Sequence, residues 1–210
     1  MTQVCEAAQL CARRMSAEEF CLLARREAGS IYRPRSEVLR MLTVGQAWGV
    51  CGLRGAPETA LLALPLSADL GLAAALRELL GPRQWGGGWI LTPPVGQRSE
   101  ALPPLLEGVL AWAARRSRGG ELWAVLECTP DAEELMNLYL EQGLALRAIR
   151  PLNSLAPCYL FAPAPAAARP DPVWVPLADR SRLALLLNQG WAALESRLTP
   201  QGPALGLSRV

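Results

Sequence analysis

The apolar positions from Leu91 to Leu144 change period twice. The stretch LTPPVGQRSEALPPLLEGVLAWAARR reads as a short apolar run, a polar turn and an amphipathic helix. Leu102, Leu105, Leu106, Val109, Leu110 and Ala113 recur at i, i+3, i+4, i+7, i+8 and i+11, which is one helical face, while Glu107, Arg115 and Arg116 fall mostly elsewhere. Pro103 and Pro104 suit a first turn, where the missing N–H groups have no intrahelical partner to lose. After Gly119 and Gly120 the run Leu122 to Cys128 is apolar enough for a buried strand. Asp131 and Glu134 have the spacing of a capping box, Leu135, Leu138 and Tyr139 share a face, and Gly143 ends that helix. Strand, helix, strand in this order is the sequence form of a crossover between parallel strands.

The flanking chain adds further elements. An opening strand is expected at Thr2 to Glu6, a helix from the Ser16/Glu19 capping box to about Ala28, and a second helix from Ser36 to Leu42. Ala47 to Leu53 and Thr59 to Leu66 read as a hairpin around Arg54 to Pro57, followed by a helix over Ala68 to Leu80 and a glycine-rich strand entry at Trp85 to Trp89. Leu146 to Leu152 and Cys158 to Phe161 form a second hairpin. A Pro/Ala-rich connector, Ala162 to Pro172, leads to a short strand at Val173 to Val175 and a helix from about Asp179 to Leu194, with Leu183, Leu186, Leu187 and Trp191 on one face. The last dozen residues read as loose.

Composition narrows the class. Of 210 residues, 51% are hydrophobic and 19% charged, and Arg, Pro, Gly or Glu interrupt every apolar run before the roughly 20 residues that span a bilayer. No membrane span is expected. The N-terminus lacks the continuous apolar core of a secretion signal, so the expected location is cytoplasmic. The 6 cysteines include no Cys-x-x-Cys pair and the chain has no histidine, which argues against zinc and for reduced thiols. A net charge of +2 without an aromatic-interleaved basic run argues against nucleic acid. Arg13, Arg14, Arg25, Arg26, Arg33, Arg35 and Arg40 make the early segment basic, which fits a solvated surface or an acidic acceptor.

Two stretches carry a resemblance. Pro94, Gln97, Glu100, Leu102 and the Leu105-Leu106 pair resemble the Val-x-Pro strand end and Q/R-x-x-G-x-G/A loop of the GNAT (GCN5-related) N-acetyltransferases, with both loop glycines substituted. Leu138, Tyr139, Leu140, Glu141, Gln142, Gly143 and Leu144 are similar to that family's Leu-Tyr-x-x-x-Gly-Phe signature, differing at the last position. The resemblance covers roughly residues 46 to 162 and implies an α/β fold, a mixed central sheet flanked by helices. The expected domain is residues 1–163, with 164–210 as connector and strand-helix extension packed on it or on a second subunit of a homodimer.

The same resemblance implies an acetyl-CoA-dependent transfer of acetyl to an amine of a small molecule or peptide, by direct attack. Backbone groups near Thr92 to Val95 would orient the thioester, and the loop Gln97, Arg98, Ser99, Glu100, Ala101 and Leu102 would hold the pyrophosphate at a helix N-terminus. Tyr139 would protonate the departing thiolate. Packing on an amphipathic helix is an equally complete account of Tyr139. With neither histidine nor lysine in the chain, Glu127 at a strand end is the candidate base, though an exposed strand-end charge also explains it. Cys128 reads as buried filler rather than a nucleophile. The substituted glycines and Glu100, whose carboxylate would repel a diphosphate, leave a second reading: a non-catalytic module of the same fold that binds another ligand or a protein. Tyr32 and Arg33, between the early helices, would border the acceptor.

Overall fold

The computed structural model describes residues 10–26, 35–52, 55–68, 88–96, 99–116, 122–129, 132–151, 157–165 and 171–209. The expected strand at Thr2 to Glu6, all of the helix at Ala68 to Leu80 except Ala68, which ends a 3-10 turn over Leu66–Ala68, and Tyr32, Arg33, Gln97, Arg98 and Asp131 lie outside them. The chain divides into two compact units, Met1–Leu64 with Pro94–Ala113, and Pro65–Pro93 with Ala114–Val210.

In unit one, β1 (Ala12–Met15) pairs antiparallel with β2 (Gln46–Cys51), and β2 with β3 (Pro57–Pro65), which ends at the unit boundary. β3 is buried from Thr59 to Leu64, as its unbroken apolar run requires. Helices α1 (Ala17–Arg26) and α2 (Arg35–Leu42) pack together, and α1 rests on β2. The capping box forms as the spacing predicts: Glu19 N–H donates to Ser16 Oγ at 3.2 Å and Ser16 N–H donates to the Glu19 carboxylate at 2.8 Å. Glu19 also pairs with Arg13 of β1, fastening the edge strand to the helix. The amphipathic α3 (Leu102–Arg116) begins at the expected residue and buries Leu105, Leu106, Val109, Trp112 and Ala113. The Trp112 ring lies 5.5 Å from that of Trp48 on β2.

In unit two the strand order is β4-β5-β7-β6-β9-β10-β8. β4 (Trp89–Leu91) and β5 (Leu122–Glu127) are parallel, as the predicted crossover demands, and β5/β7, β7/β6, β6/β9, β9/β10 and β10/β8 are antiparallel. Helix α4 (Ala132–Glu141) stops at Gly143, whose φ of +79° is the left-handed conformation a glycine tolerates, and β6 (Leu144–Pro151) and β7 (Pro157–Pro163) follow.

The C-terminal segment departs from expectation. After β8 (Val173–Pro176), helix α5 (Arg180–Asn188) ends six residues short of Leu194, at the Gln189-Gly190 stop, and Trp191 opens a strand. β9 (Trp191–Thr199) and β10 (Gly202–Arg209) form a hairpin in which Ala204 to Ser208 are buried, so the last dozen residues are sheet and not loose chain. Leu146 of β6 pairs with Ala193 of β9, and α5 packs on β6 and β9.

Gly96, at φ +97°, sits so close to β3 that a methyl would meet Glu58 O and lie 2.9 Å from Thr59 Cα. Gly96→Ala should therefore cost about 2 kcal/mol or more in chemical denaturation; an unchanged midpoint would show that the turn relaxes freely. The Arg13 guanidinium, and then the Ser16 amide, hold the Glu19 carboxyl down to about 2 from 4.5. A depressed folded-state pKa gives stability that is whole above 4.5 and vanishes as pH falls through about 2. For this half-exposed pair the gain is under about 1 kcal/mol. The melting difference between wild type and Glu19→Gln should be largest near neutral pH and close at pH 2; a gap of equal size at both would contradict the assignment.

Candidate active site

β4 and β5 pair through Trp89↔Leu122, Ile90↔Trp123 and Leu91↔Ala124, and no later pair joins them among the described residues. β5 runs on to Glu127, its other edge paired with β7 as Ala124↔Phe161, Val125↔Leu160, Leu126↔Tyr159 and Glu127↔Cys158. The residues after Leu91 explain the stop. Thr92 turns its hydroxyl onto the neighbouring Pro93 carbonyl at 3.3 Å, and Pro93 and Pro94 have no N–H to offer a ladder. The edge of β5 from Val125 to Glu127 is thus left beside a strand that has stopped pairing.

The turn that follows belongs to unit one. Val95 resumes backbone bonding with Ala60 of β3: Val95 N–H donates to Ala60 O at 2.7 Å and Ala60 N–H to Val95 O at 2.9 Å. The buried Thr59 hydroxyl adds a donor to the same carbonyl at 3.1 Å. This corrects one sequence expectation, since the Val95 amide is already committed to β3 and is no donor for a thioester. Ser99–Ala101 form a 3-10 turn that runs into α3, so their amides lie at the start of a helix with its partial positive charge. Ala101 is buried, Leu102 half-buried and Glu100 exposed. An exposed Glu100 side chain is free to lie in water, which lowers the repulsion expected from it toward an anion.

Tyr139 is buried completely, its ring set edge-on against Phe161 of β7 at 5.2 Å and 86°. Its hydroxyl has no hydrogen-bond partner among the described residues. Burial alone pushes its pKa far above the usual phenol range, so the group holds its proton at any physiological pH. Glu127 is half-buried at the end of β5. The register fixes their relation. Phe161 shares a face with Ala124, and Glu127 is three residues further along β5, so Tyr139 and Glu127 lie on opposite faces of the β5/β7 pair.

A cluster that the sequence reading did not single out gathers at the same end of β5. Arg180, first residue of α5, reaches the Cys128 carbonyl at 3.5 Å and hydrogen-bonds Tyr159, whose own hydroxyl donates to the Cys128 thiol. Burial raises Cys128 to about 11, against the weaker pull of the Tyr159 hydrogen bond, and raises Tyr159 to about 12. Both therefore carry their protons at neutral pH, and Cys128 is neither a thiolate nucleophile nor mere filler. Tyr159 lay hidden in an apolar strand, and Arg180 followed the helix-capping Asp179 without any motif of its own; only the fold joins them. No group of three or more Cys, Asp and Glu able to hold a metal occurs among the described residues, and no described helix is long and apolar enough to cross a membrane.

No protein-family profile and no curated protein matches the sequence. Solved structures do match. A protein assigned to the GNAT acetyltransferases from Desulfovibrio desulfuricans superposes with a TM-score of 0.51 at 15% identity, covering 73% of this chain and 98% of that one. Arabidopsis thaliana NAA60, solved with a bisubstrate analogue, gives 0.53 at 11% identity over 73% of this chain and 98% of its own. The aminoglycoside acetyltransferase AAC(6')-Ib, solved with coenzyme A and kanamycin, gives 0.51 at 9% over 74% and 95%. Over about three quarters of its length, this chain has the fold of the GNAT acetyltransferases.

Proposed function

We propose that the protein transfers an acetyl group from acetyl-CoA to an amine on a small molecule or peptide. The observation that carries this reading is the end of the β4/β5 ladder at Leu91, with β5 continuing to Glu127. A strand edge that no described strand covers can bind an extended amide-bearing chain such as pantetheine as a further strand would. The matched folds support it, since two of them were solved with acetyl-CoA or coenzyme A. Each unit by itself offers groups that suit such a substrate: in unit one Ser99, Glu100, Ala101 and Leu102 offer first-turn amides to a diphosphate, and in unit two Tyr139 has a buried hydroxyl without an acceptor among the described residues.

In this mechanism the amine attacks the thioester carbonyl carbon, the C–N bond forms and the C–S bond breaks, and the departing sulfur takes the Tyr139 proton. The amine proton leaves to Glu127, directly or through water. The engaged Val95 amide favours a second reading, a module that binds acyl-CoA or another ligand without turnover, because one expected donor to the acyl oxygen is missing.

Titration calorimetry with acetyl-CoA should give binding at or below millimolar concentration, and a panel of amines should release CoA; no heat of binding would remove the enzyme reading, and binding without turnover on any amine would favour the second. Tyr139→Phe separates structure from chemistry. Deleting a buried hydroxyl with no partner should leave stability unchanged or raise it by about 1 kcal/mol, while kcat falls about 100-fold. Unaltered kcat would take the acid role from Tyr139.

A further inference from the structure

Among the described residues of unit one, two accessible cysteines, Cys11 and Cys51, have no part in the proposed chemistry. β1 and β2 run antiparallel with Ala12 opposite Val50 and Arg13 opposite Gly49, and one further step in that register brings Cys11 opposite Cys51. Alternation puts Cys11, Arg13 and Met15 on the same face of the pair as Cys51, Gly49 and Ala47. The Arg13 side chain confirms this for Cys51, because its Nε–H points at the Cys51 sulfur from 3.2 Å and so holds that sulfur on the shared face. Arg13 is itself fixed by Glu19.

Residues directly opposite in an antiparallel pair have Cα atoms about 4.5 to 5.5 Å apart. That interval lies inside the range that a disulfide spans, about 4.4 to 6.8 Å. Access also distinguishes this pair. Cys11 is exposed and Cys51 half-exposed, whereas Cys21 and Cys158 are buried and burial holds Cys128 in its thiol form.

We infer that Cys11 and Cys51 form an oxidisable dithiol, a site of reversible modification by hydrogen peroxide. In the first step one cysteine sulfur attacks a peroxide oxygen, the O–O bond breaks, and a sulfenic acid and one water result. In the second, the other cysteine sulfur attacks the sulfenic sulfur, the S–S bond forms and a second water leaves with the remaining thiol proton. Two thiols and one peroxide thus give one disulfide and two waters. The product ties the edge strand, and the residues that precede it, covalently to β2.

The test uses the full-length reduced chain and hydrogen peroxide at stoichiometric amounts, followed by alkylation, digestion without reductant and mass spectrometry. A peptide pair joined through Cys11 and Cys51, loss of two titratable thiols, and recovery of both with dithiothreitol are expected. The oxidised chain should melt at a higher temperature than the reduced one, and Cys51→Ser should show neither the link nor the shift. Cys11 or Cys51 found joined to Cys5 or to a second molecule, over-oxidised without a link, or left as thiols would overturn the inference. Because the link is read on the wild-type chain, a poorly folding variant does not blur the answer.

Discussion

Two adjacent prolines govern the arrangement from which the functional reading is built. A parallel ladder needs an N–H at alternate positions, and Pro93 and Pro94 supply none. β4 therefore stops pairing with β5 after Leu91, and the first residue with an N–H beyond the prolines, Val95, bonds with Ala60. Gly96 completes the move, since its positive φ and missing side chain let the turn lie against the β3 backbone. The result is a length of β5, Val125 to Glu127, with one edge on β7 and the other facing no strand among the described residues. A backbone edge left open in an otherwise well-paired sheet needs polar partners, and an extended amide chain supplies them.

Around that end of β5 the side chains sort by face. Tyr139, Phe161, Tyr159 and Cys128 share one side, where burial dominates and every titratable group keeps its proton. Glu127 belongs to the other side and is the carboxylate of β5. α5 adds a cation at the same strand end, where the exposed Arg180 reaches the Cys128 carbonyl.

Much of this was legible from the sequence. The period-3.6 face of Leu102 to Ala113, the Ser16/Glu19 box and the Gly143 stop are local signals, and each forms as read. The strand-helix-strand order predicted the parallel β4/β5 pair. Non-local features were not legible. β1 is Ala-Arg-Arg-Met, charged at its centre because it is an edge, so no apolar alternation announces it. In the tail, Leu183, Leu187 and Trp191 fit a helical stripe, but Gln189-Gly190 turns the chain at φ +85° and pairing with β10 decides for strand. Tyr139 was singled out by its signature, while its complete burial, and a hydroxyl without a partner among the described residues, are consequences of packing that no one-dimensional pattern contains.

The claim that the parted strands receive the acyl donor can be tested at the backbone itself. Amide hydrogen exchange, read residue by residue with and without coenzyme A, should show slowed exchange at Val125 to Glu127 and at Ser99 to Leu102 once the ligand is bound. Coenzyme A that binds while leaving Val125 to Glu127 unchanged would contradict the account.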